Sequence, residues 1–373
     1  MTISSVPSSS TAATLLDAIH ANLVAVRKHT SRLVLAPVKA NAYGHGAVAV
    51  SKMIERTKAA DWLGVATVGE GVELRNAGIT LPILKLSVAR GPEVLAALEH
   101  QITLPITDGQ AVREISGAAK LLGAVANVHL KVDTGMRRIG CPPEAAPLLA
   151  KSAVQNENLM LTGIFSHMPV SDTPSQDEFS QRQIRVFADA CAATEAVAGT
   201  LTKHLANSGA VLAHPDAWFD LVRPGIMIYG AYPDPATARS VAIEPALRWT
   251  SKLSFVKRVS AGETVGYGRT WTAKTDTYIG TVPVGYGDGY SRLLSNRGRV
   301  LIGGKSYPIA GRICMDQFMV DLGPQTNAAV LDEVVLIGAD GNERITVDEI
   351  AGLMGTIPYE VTCLIQTRVG RKS

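Results

Sequence analysis

The stretch Leu33-Val34-Leu35-Ala36-Pro37-Val38-Lys39-Ala40-Asn41-Ala42-Tyr43-Gly44-His45-Gly46 sets the reading of the chain. A short apolar run ends on a lysine, and small residues and two glycines follow. Working outward, seven more short apolar runs recur: Trp62–Thr67, Ile83–Leu86, Thr103–Thr107, Val128–Asp133, Leu161–Ser166, Lys203–Ala206 and Asp220–Val222. Between them lie segments of helical periodicity such as Glu93–Glu99 and Gln110–Leu122. One strand-plus-helix unit takes about 27 residues, close to the roughly 30 of a (β/α)8 barrel. The expected fold is therefore a TIM-like barrel of eight parallel strands, each followed by a helix. A doubly wound open sheet is the alternative, weakened because no Gly-x-Gly-x-x-Gly follows a strand.

The character changes after the turn-rich Tyr232-Pro233-Asp234-Pro235. From Ala246 to Gly338 helical periodicity fades. Runs such as Lys252–Val259, Tyr278–Val284, Arg299–Ile302 and Phe318–Leu322 alternate with Gly-rich turns, which predicts a β domain. A short helix near Thr346–Met354 and a last strand over Tyr359–Val369 are expected to close it. The fold class is thus α/β plus β, with a flexible N-terminal tail over 1–12, a barrel over 13–237 and a C-terminal β-strand domain over 238–373.

Composition narrows the function. With 36 basic and 33 acidic residues, the net charge of +3 gives no electrostatic case for nucleic acid. No apolar run approaches the ~18 residues of a membrane span. The opening MTISSVPSSS has neither a basic start nor a hydrophobic segment, so a secretory leader is not expected. Cys141, Cys191, Cys314 and Cys363 lack Cys-x-x-Cys spacing. That fits a reducing, cytoplasmic setting and argues against a structural metal site, and the histidines form no His-Glu-x-x-His pair.

In a barrel the carboxyl ends of the strands line the active site. Lys39 sits at such an end, where desolvation lowers an amine's pKa and frees it for Schiff-base chemistry; a surface lysine in a loop fits the spacing equally well. Other strand ends carry Lys131 and Arg138, His167, Asn207 and Ser208, and Arg223 with Gly225 and Ile226. Each alone reads as a satisfied structural group. Together they read as an anion-binding catalytic mouth, with Ser208, Gly225 and Ile226 as a phosphate cup near the last two strands.

With these residues in view, the chain resembles the bacterial alanine racemases, which use pyridoxal 5′-phosphate. The resemblance spans residues 14–372 and is carried by VKANAYGHG, KVDTGMRRIG, ANS, RPGIMIYG, VGYGRTW, PVGYGDGY, GRICMDQ and TIPYEV, in the family's order. It implies that L-alanine and D-alanine are interconverted by two-base proton transfer at Cα, supplying D-alanine for peptidoglycan and so for cell-wall biogenesis. Lys39 would hold the cofactor covalently and serve the D side. Tyr267 would serve the L side. A tyrosine ordinarily titrates near 10, so acting as a base near neutrality requires nearby cations and hydrogen bonds worth roughly 4 kcal/mol.

The resemblance further implies that Arg223 faces the pyridine nitrogen and His167 the ring. Arg138 would reach the ring hydroxyl side and the substrate carboxylate. Tyr43, Ser208, Tyr359, Gly225 and Ile226 would hold the phosphate, with Asn207 beside them. Lys131 would be carbamylated and orient Arg138. Met315 would contact the substrate carboxylate, with Tyr286 and Asp316 in support. Tyr267 and its neighbours would come from the partner in a homodimer with composite active sites. No metal is implied.

The departures are modest. Met168-Pro169-Val170 stands where relatives often carry an alanine-rich stretch, Thr11–Leu16 replaces a strand-like opening, and Gly occupies a position often held by Ala in Gly287-Asp288-Gly289. The related basic amino-acid decarboxylases use an acidic residue at the ring nitrogen and a cysteine as the opposite base, unlike Arg223 and Tyr267 here. A non-catalytic cofactor-binding barrel would lack the β domain. A broad-spectrum or serine racemase of the same family is the alternative, although contacts on the Met315 and Tyr359 sides leave little room beyond a methyl group.

Overall fold

The computed structural model describes residues 8–373. The described residues form two compact units, one of residues 17–43 and 47–244, the other of 8–16, 44–46 and 245–373. Strand β1 (Ser10–Thr14) belongs to the second unit. The first unit holds β2 (Leu33–Pro37), β3 (Trp62–Val65), β4 (Ile83–Lys85), β5 (Ile102–Ile106), β6 (Ala126–Lys131), β7 (Leu159–Phe165), β8 (Thr202–His204) and β9 (Leu221–Val222).

All eight strands of the first unit pair in parallel in the order β8-β7-β6-β5-β4-β3-β2-β9. The seam between β8 and β9 is bridged by Asp220 N–H to Lys203 O at 3.1 Å and Arg223 N–H to Ala206 O at 2.8 Å. The barrel is therefore nearly closed. Its strands are buried on both faces, which is why they read as apolar runs without alternation. Leu35, Leu84 and Leu221 fill part of the interior, with Trp62 and Leu86 against them.

Helices follow seven of the strands, at Ala47–Thr57, Val68–Asn76, Pro92–Glu99, Gly109–Leu121, Ala146–Val154, Asp177–Ala198 and Ser208–Ala213. After β9 the chain makes only the 3-10 turn Ile226–Tyr229. The expectation of a helix after every strand fails there. Helix Leu16–Thr30, which precedes β2, is tied to that segment instead. Its buried Asn22 donates from Nδ2 to Ile228 O (3.1 Å) and Glu244 O (2.8 Å) and accepts from Glu244 N–H (2.8 Å).

The second unit continues with β10 (Leu247–Lys252), β11 (Phe255–Val259), β12 (Thr264–Val265), β13 (Trp271–Thr272), β14 (Thr277–Val282), β15 (Arg299–Ile302), β16 (Lys305–Pro308), β17 (Phe318–Gly323), β18 (Glu333–Asp340), β19 (Glu343–Ile345) and β20 (Gly370–Lys372). The main sheet runs β16-β15-β18-β10-β1-β20, with β19 on β18; β11-β14-β17 and the hairpin β12-β13 stand apart from it. The core includes Trp249, edge-on to Tyr290 at 5.7 Å, and Phe318, stacked on Tyr290 at 5.0 Å.

Two local expectations are corrected. Residues 10–12 are not loose tail: β1 lies between β10, antiparallel, and β20, parallel. The Ser/Thr/Ala composition hid this strand, because its pairing rests on backbone hydrogen bonds and its buried residues, Ser10, Ala12 and Thr14, are small or polar. Residues 1–7 of the expected tail lie outside the described residues. The last strand does not span Tyr359–Val369. Ile357 is extended, Pro358 takes the first helical position, and helix Pro358–Cys363 follows; the strand is Gly370–Lys372. Val361-Thr362 suggested a strand, but the proline start favours the helix.

Ala12 is fully buried opposite Trp249. Ala12→Asp places a carboxylate there without a partner, and it is expected to lower the unfolding free energy by about 3 kcal/mol or more. Denaturant melts followed by far-UV circular dichroism check this; an unchanged midpoint would mean that β1 is not in the sheet.

Candidate active site

The barrel unit gathers its predicted site residues at the carboxyl ends of the strands. Lys39 follows β2 and opens an unusual turn. Ala40, Asn41, Ala42 and Tyr43 all have φ between 51° and 54°, so the chain makes a left-handed helical turn without a glycine until Gly44. Left-handed helical geometry costs an L-residue roughly 1–2 kcal/mol, and such strain concentrates at functional sites. Asn41 Oδ1 accepts from Ala47 N–H at 2.8 Å, and Ala42 N–H donates to Val38 O at 2.8 Å. The Lys39 Nζ lies 5.9 Å from the centre of the Tyr43 ring, which packs on Tyr229 at 5.1 Å.

Tyr43 meets Ser208 and Gly225 in a small polar cradle. Ser208 Oγ accepts from Gly225 N–H at 2.8 Å and Met227 N–H at 3.4 Å. A Cβ on Gly225 would stand 2.9 Å from the Tyr43 hydroxyl and 3.7 Å from Ser208 Oγ. Glycine is needed here to keep that space open. Ile226 begins the turn beside it and is fully buried. Asn207 plays a scaffold part: it caps helix Ser208–Ala213, accepting from Ala210 N–H at 3.1 Å and Ser171 Oγ at 2.6 Å, and donates to Met168 O at 2.9 Å.

Arg223 occupies the barrel interior. Its Nη2 donates to Ser166 O (2.6 Å) and Leu205 O (3.0 Å), and its Nη1 donates to His204 Nδ1 (2.9 Å). The same Nη2 lies 3.5 Å from His167 Nδ1. Burial, with the Arg138 charge, pushes the guanidinium down to about 9, so it stays protonated at neutral pH. Burial, then the charges of Arg223, Lys131, Arg138 and Lys39, hold His167 well below its usual range. Lys131 is likewise held far below the ordinary lysine range by burial, then by Arg223 and Arg138, with Asp133 opposing. Its Nζ sits 4.3 Å from the Phe165 ring centre. Arg138 itself is exposed. This cluster is a cationic pocket that suppresses further positive charge on its own members.

The second unit brings together Tyr267, Tyr286, Met315 and Asp316 on neighbouring turns. Tyr267 lies in the turn Tyr267–Arg269, between Gly266 (φ 74°) and Gly268 (φ 73°). A Cβ on Gly268 would come within 2.8 Å of Arg312 Nη1, so that arginine packs directly under the turn. Tyr286 N–H donates to Cys314 O (3.1 Å) and Gly287 N–H to Met315 O (2.9 Å). Arg368 joins the two loops, donating to Asp288 Oδ1 (2.7 Å) and Asp316 Oδ1 (2.8 Å). Tyr267 is 72% exposed, Met315 53% and Tyr286 43%, although all are large side chains. Tyr359 lies half-buried on helix Pro358–Cys363.

Comparison with known proteins bears on this geometry. Sequence profiles described as alanine racemase, N-terminal domain, and alanine racemase, C-terminal domain, match residues 15–233 and 246–373. The chain belongs to the alanine racemase family. The alanine racemase of Cutibacterium acnes is 52% identical over 367 residues, covering 98% of each chain. That of Symbiobacterium thermophilum is 41% identical, covering 95% of this chain and 94% of the relative. Among solved structures, the alanine racemase of Streptomyces lavendulae superposes with a TM-score of 0.92 at 37% identity, over 99% of this chain and 97% of that one.

Within this family member, sequence reasoning missed the polar layer beneath Arg223. His204 Nε2 lies 2.9 Å from His129 Nδ1, and His204 stacks on Phe165 at 4.8 Å with the rings parallel. Gly163 makes the room, since a Cβ there would stand 2.7 Å from the His129 ring. Arginine can only donate, so His204 Nδ1 accepts, its Nε2 carries the proton, and His129 Nδ1 accepts in turn. His129 Nε2–H then ends the chain without a partner. The available signal was His129, set among the apolar residues of β6, where an apolar residue is the norm; His204, after Thr202 and Lys203 in the short β8, gave none.

Both histidines are neutral in the fold. Burial, then Arg223, holds His129 down to about 3, and burial with Arg223, His129 and Lys131 holds His204 well below its usual range. Below about pH 6.5 the unfolded chain binds protons that the fold excludes, so stability falls with pH; above it neither histidine contributes. His204→Gln is expected to make that slope shallower, by up to about 1.4 kcal/mol per pH unit, between about pH 6.5 and 4.5. Denaturant melts across that range measure it. An unchanged slope would mean that His204 is already protonated in the fold.

Proposed function

We propose that this chain interconverts L- and D-alanine, with Lys39 and Tyr267 as the two proton-transferring groups and pyridoxal 5′-phosphate as cofactor. The observation that carries the reading is the cradle of Tyr43, Ser208 and Gly225, open where a Cβ would fill it and set beside Lys39. That cradle suits a phosphate, and the lysine suits the aldehyde of the same molecule. When bound, pyridoxal 5′-phosphate supplies an electron sink that eases loss of the Cα proton.

The chain's own residues do the rest. Lys39 Nζ holds the cofactor and moves a proton on one face of Cα. Tyr267 Oη moves a proton on the other. Tyr43, Ser208 and the amide of Ile226 would anchor the phosphate, with Gly225 keeping its space open while its own amide holds Ser208 Oγ, Tyr359 contributing and Asn207 fixing the backbone around Ser208. Arg223 would hold the cofactor at its ring nitrogen; being a donor only, it offers no proton-accepting site there. His167 would help to hold the ring. Arg138 and the Met315 amide take the substrate carboxylate, supported by Tyr286 and Asp316. The exposure of Tyr267, Tyr286 and Met315 supports a homodimer in which a second copy provides them.

Carbamylation of Lys131 fits the same electrostatics. A neutral, buried amine is the form that adds to carbon dioxide, releasing one proton. Arg138 and Arg223 are placed to stabilise the resulting carboxylate, and crystallographic density at Lys131 decides the matter. No helix among the described residues is long and apolar enough to cross a membrane. A cytoplasmic role in supplying D-alanine for peptidoglycan belongs to the same reading. A broad-spectrum or serine racemase is the second reading, favoured only if serine turns over comparably.

The test is complementation between inactive chains. Lys39→Ala and Tyr267→Phe proteins are each expected to be inactive. Unfolded and refolded together, they are expected to recover about a quarter of parental racemisation, because half the dimers are mixed and each mixed dimer has one intact site. Chiral chromatography of alanine, serine and lysine after incubation with the enzyme reads both activity and breadth. No recovery in verified mixed dimers would sink the composite site, and no D-alanine from the parent would sink the function.

A further inference from the structure

Glu70 is the residue that the reading so far leaves unused. It is the third residue of helix Val68–Asn76, and on its own it would pass for half of a capping box with Thr67: its amide donates to Thr67 Oγ1 at 3.2 Å, and its carboxylate accepts from Thr67 N–H at 3.1 Å. The carboxylate does more than cap. Oε2 also accepts from Ala66 N–H at 2.7 Å, and Oε1 accepts from Ala40 N–H at 2.7 Å. One side chain thus ties the end of β3 to the residue that follows Lys39.

The Ala40 amide belongs to the peptide unit that leaves the Lys39 Cα. Fixing the direction of that N–H fixes the torsions on either side of it, ψ of Lys39 and φ of Ala40. It also fixes the entry into the left-handed turn, which four non-glycine residues hold against their own preference. Lys85 supports the arrangement: its buried Nζ donates to Val88 O at 2.6 Å and Ser87 Oγ at 3.0 Å, while Ser87 Oγ donates to Ala66 O, the carbonyl of the residue whose amide Glu70 holds.

We propose that Glu70 is a positioning residue for Lys39: by clamping the Ala40 amide it holds the left-handed turn that aims the lysine. This rests on the reading of Lys39 as the cofactor-bearing amine. A carboxylate suits the task because it offers acceptors in two directions and no donor, so the two strand ends can be held together without competition.

The experiment compares full-length Glu70→Ala, Glu70→Gln, Thr67→Ala and Lys39→Ala. Thr67→Ala breaks the helix cap but leaves the carboxylate and all three amides in place. Three quantities are read: amide hydrogen exchange of the 39–46 segment without cofactor, melting temperature, and the rate at which added pyridoxal 5′-phosphate becomes covalently attached, trapped by borohydride. Glu70→Ala is expected to speed exchange and slow attachment, each by about tenfold or more, and to lower kcat more than it changes KM for alanine. Glu70→Gln keeps one acceptor and is expected to fall between. Thr67→Ala is expected to lower the melting temperature while leaving exchange and attachment within about twofold of the parent.

If the Glu70 variants differ from the parent only as Thr67→Ala does, Glu70 is a cap and the proposal is overturned. Failure of both Glu70 variants to fold, with Thr67→Ala folded, overturns it equally. Attachment that survives Lys39→Ala instead removes the reading of Lys39 on which the proposal rests.

Discussion

A guanidinium without a carboxylate sits at the centre of this structure. Arg223 is buried inside the barrel with its charge met by two carbonyl oxygens, Ser166 O and Leu205 O, and by a histidine nitrogen. Burying a charge without a counter-ion is costly unless every donor is placed. That requirement propagates outward. His204 must be neutral to accept, His129 must be neutral to accept from His204, and Lys131 and His167 are pushed away from protonation by burial first and then by the same field. The cation-rich mouth is therefore less charged than its residue names suggest. Lys131 and the imidazoles are held in the state in which they can donate, accept or react.

That constraint also explains the layering of the barrel. A TIM-type interior is ordinarily filled by branched apolar side chains. Here Leu35, Leu84 and Leu221 do so in one part, while His129, His204 and Phe165 form a layer that carries hydrogen bonds to Arg223. Gly163 is the consequence in sequence, a strand residue reduced to nothing so that an imidazole fits. The packing and the electrostatics of the site are one arrangement.

What the sequence made legible follows from the same physics. Residues at strand ends stood out because polar groups after apolar runs are conspicuous, and Lys39, Lys131, His167, Ser208 and Arg223 all lie at such ends. Strand β1 did not stand out, since the residues it buries, Ser10, Ala12 and Thr14, are small or polar and leave no hydrophobic period. Helix Pro358–Cys363 was hidden by two β-branched residues whose preference the preceding proline outweighs. His129 and His204 were hidden because a histidine within a strand gives no sign of what it faces. Glu70 was hidden by a plainer cause: its capping pattern is complete in local sequence, and the bond to Ala40 spans 30 positions.

The left-handed turn after Lys39 shows why such long-range ties matter. Four residues in that conformation carry a conformational cost of about 4–8 kcal/mol, comparable to the whole stability of a small domain. No glycine relieves it before Gly44, so the cost must be offset by tertiary contacts: Asn41 to the Ala47 amide, the buried Ala42, the Tyr43 ring on Tyr229, and Glu70 on Ala40. A right-handed turn would be cheaper locally, but it would turn the Ala40 amide away from the Glu70 carboxylate that holds it. The strain is retained because it fixes an amine and a phenol on one short segment before any ligand arrives, and a site fixed in advance spends less of its binding energy on ordering itself.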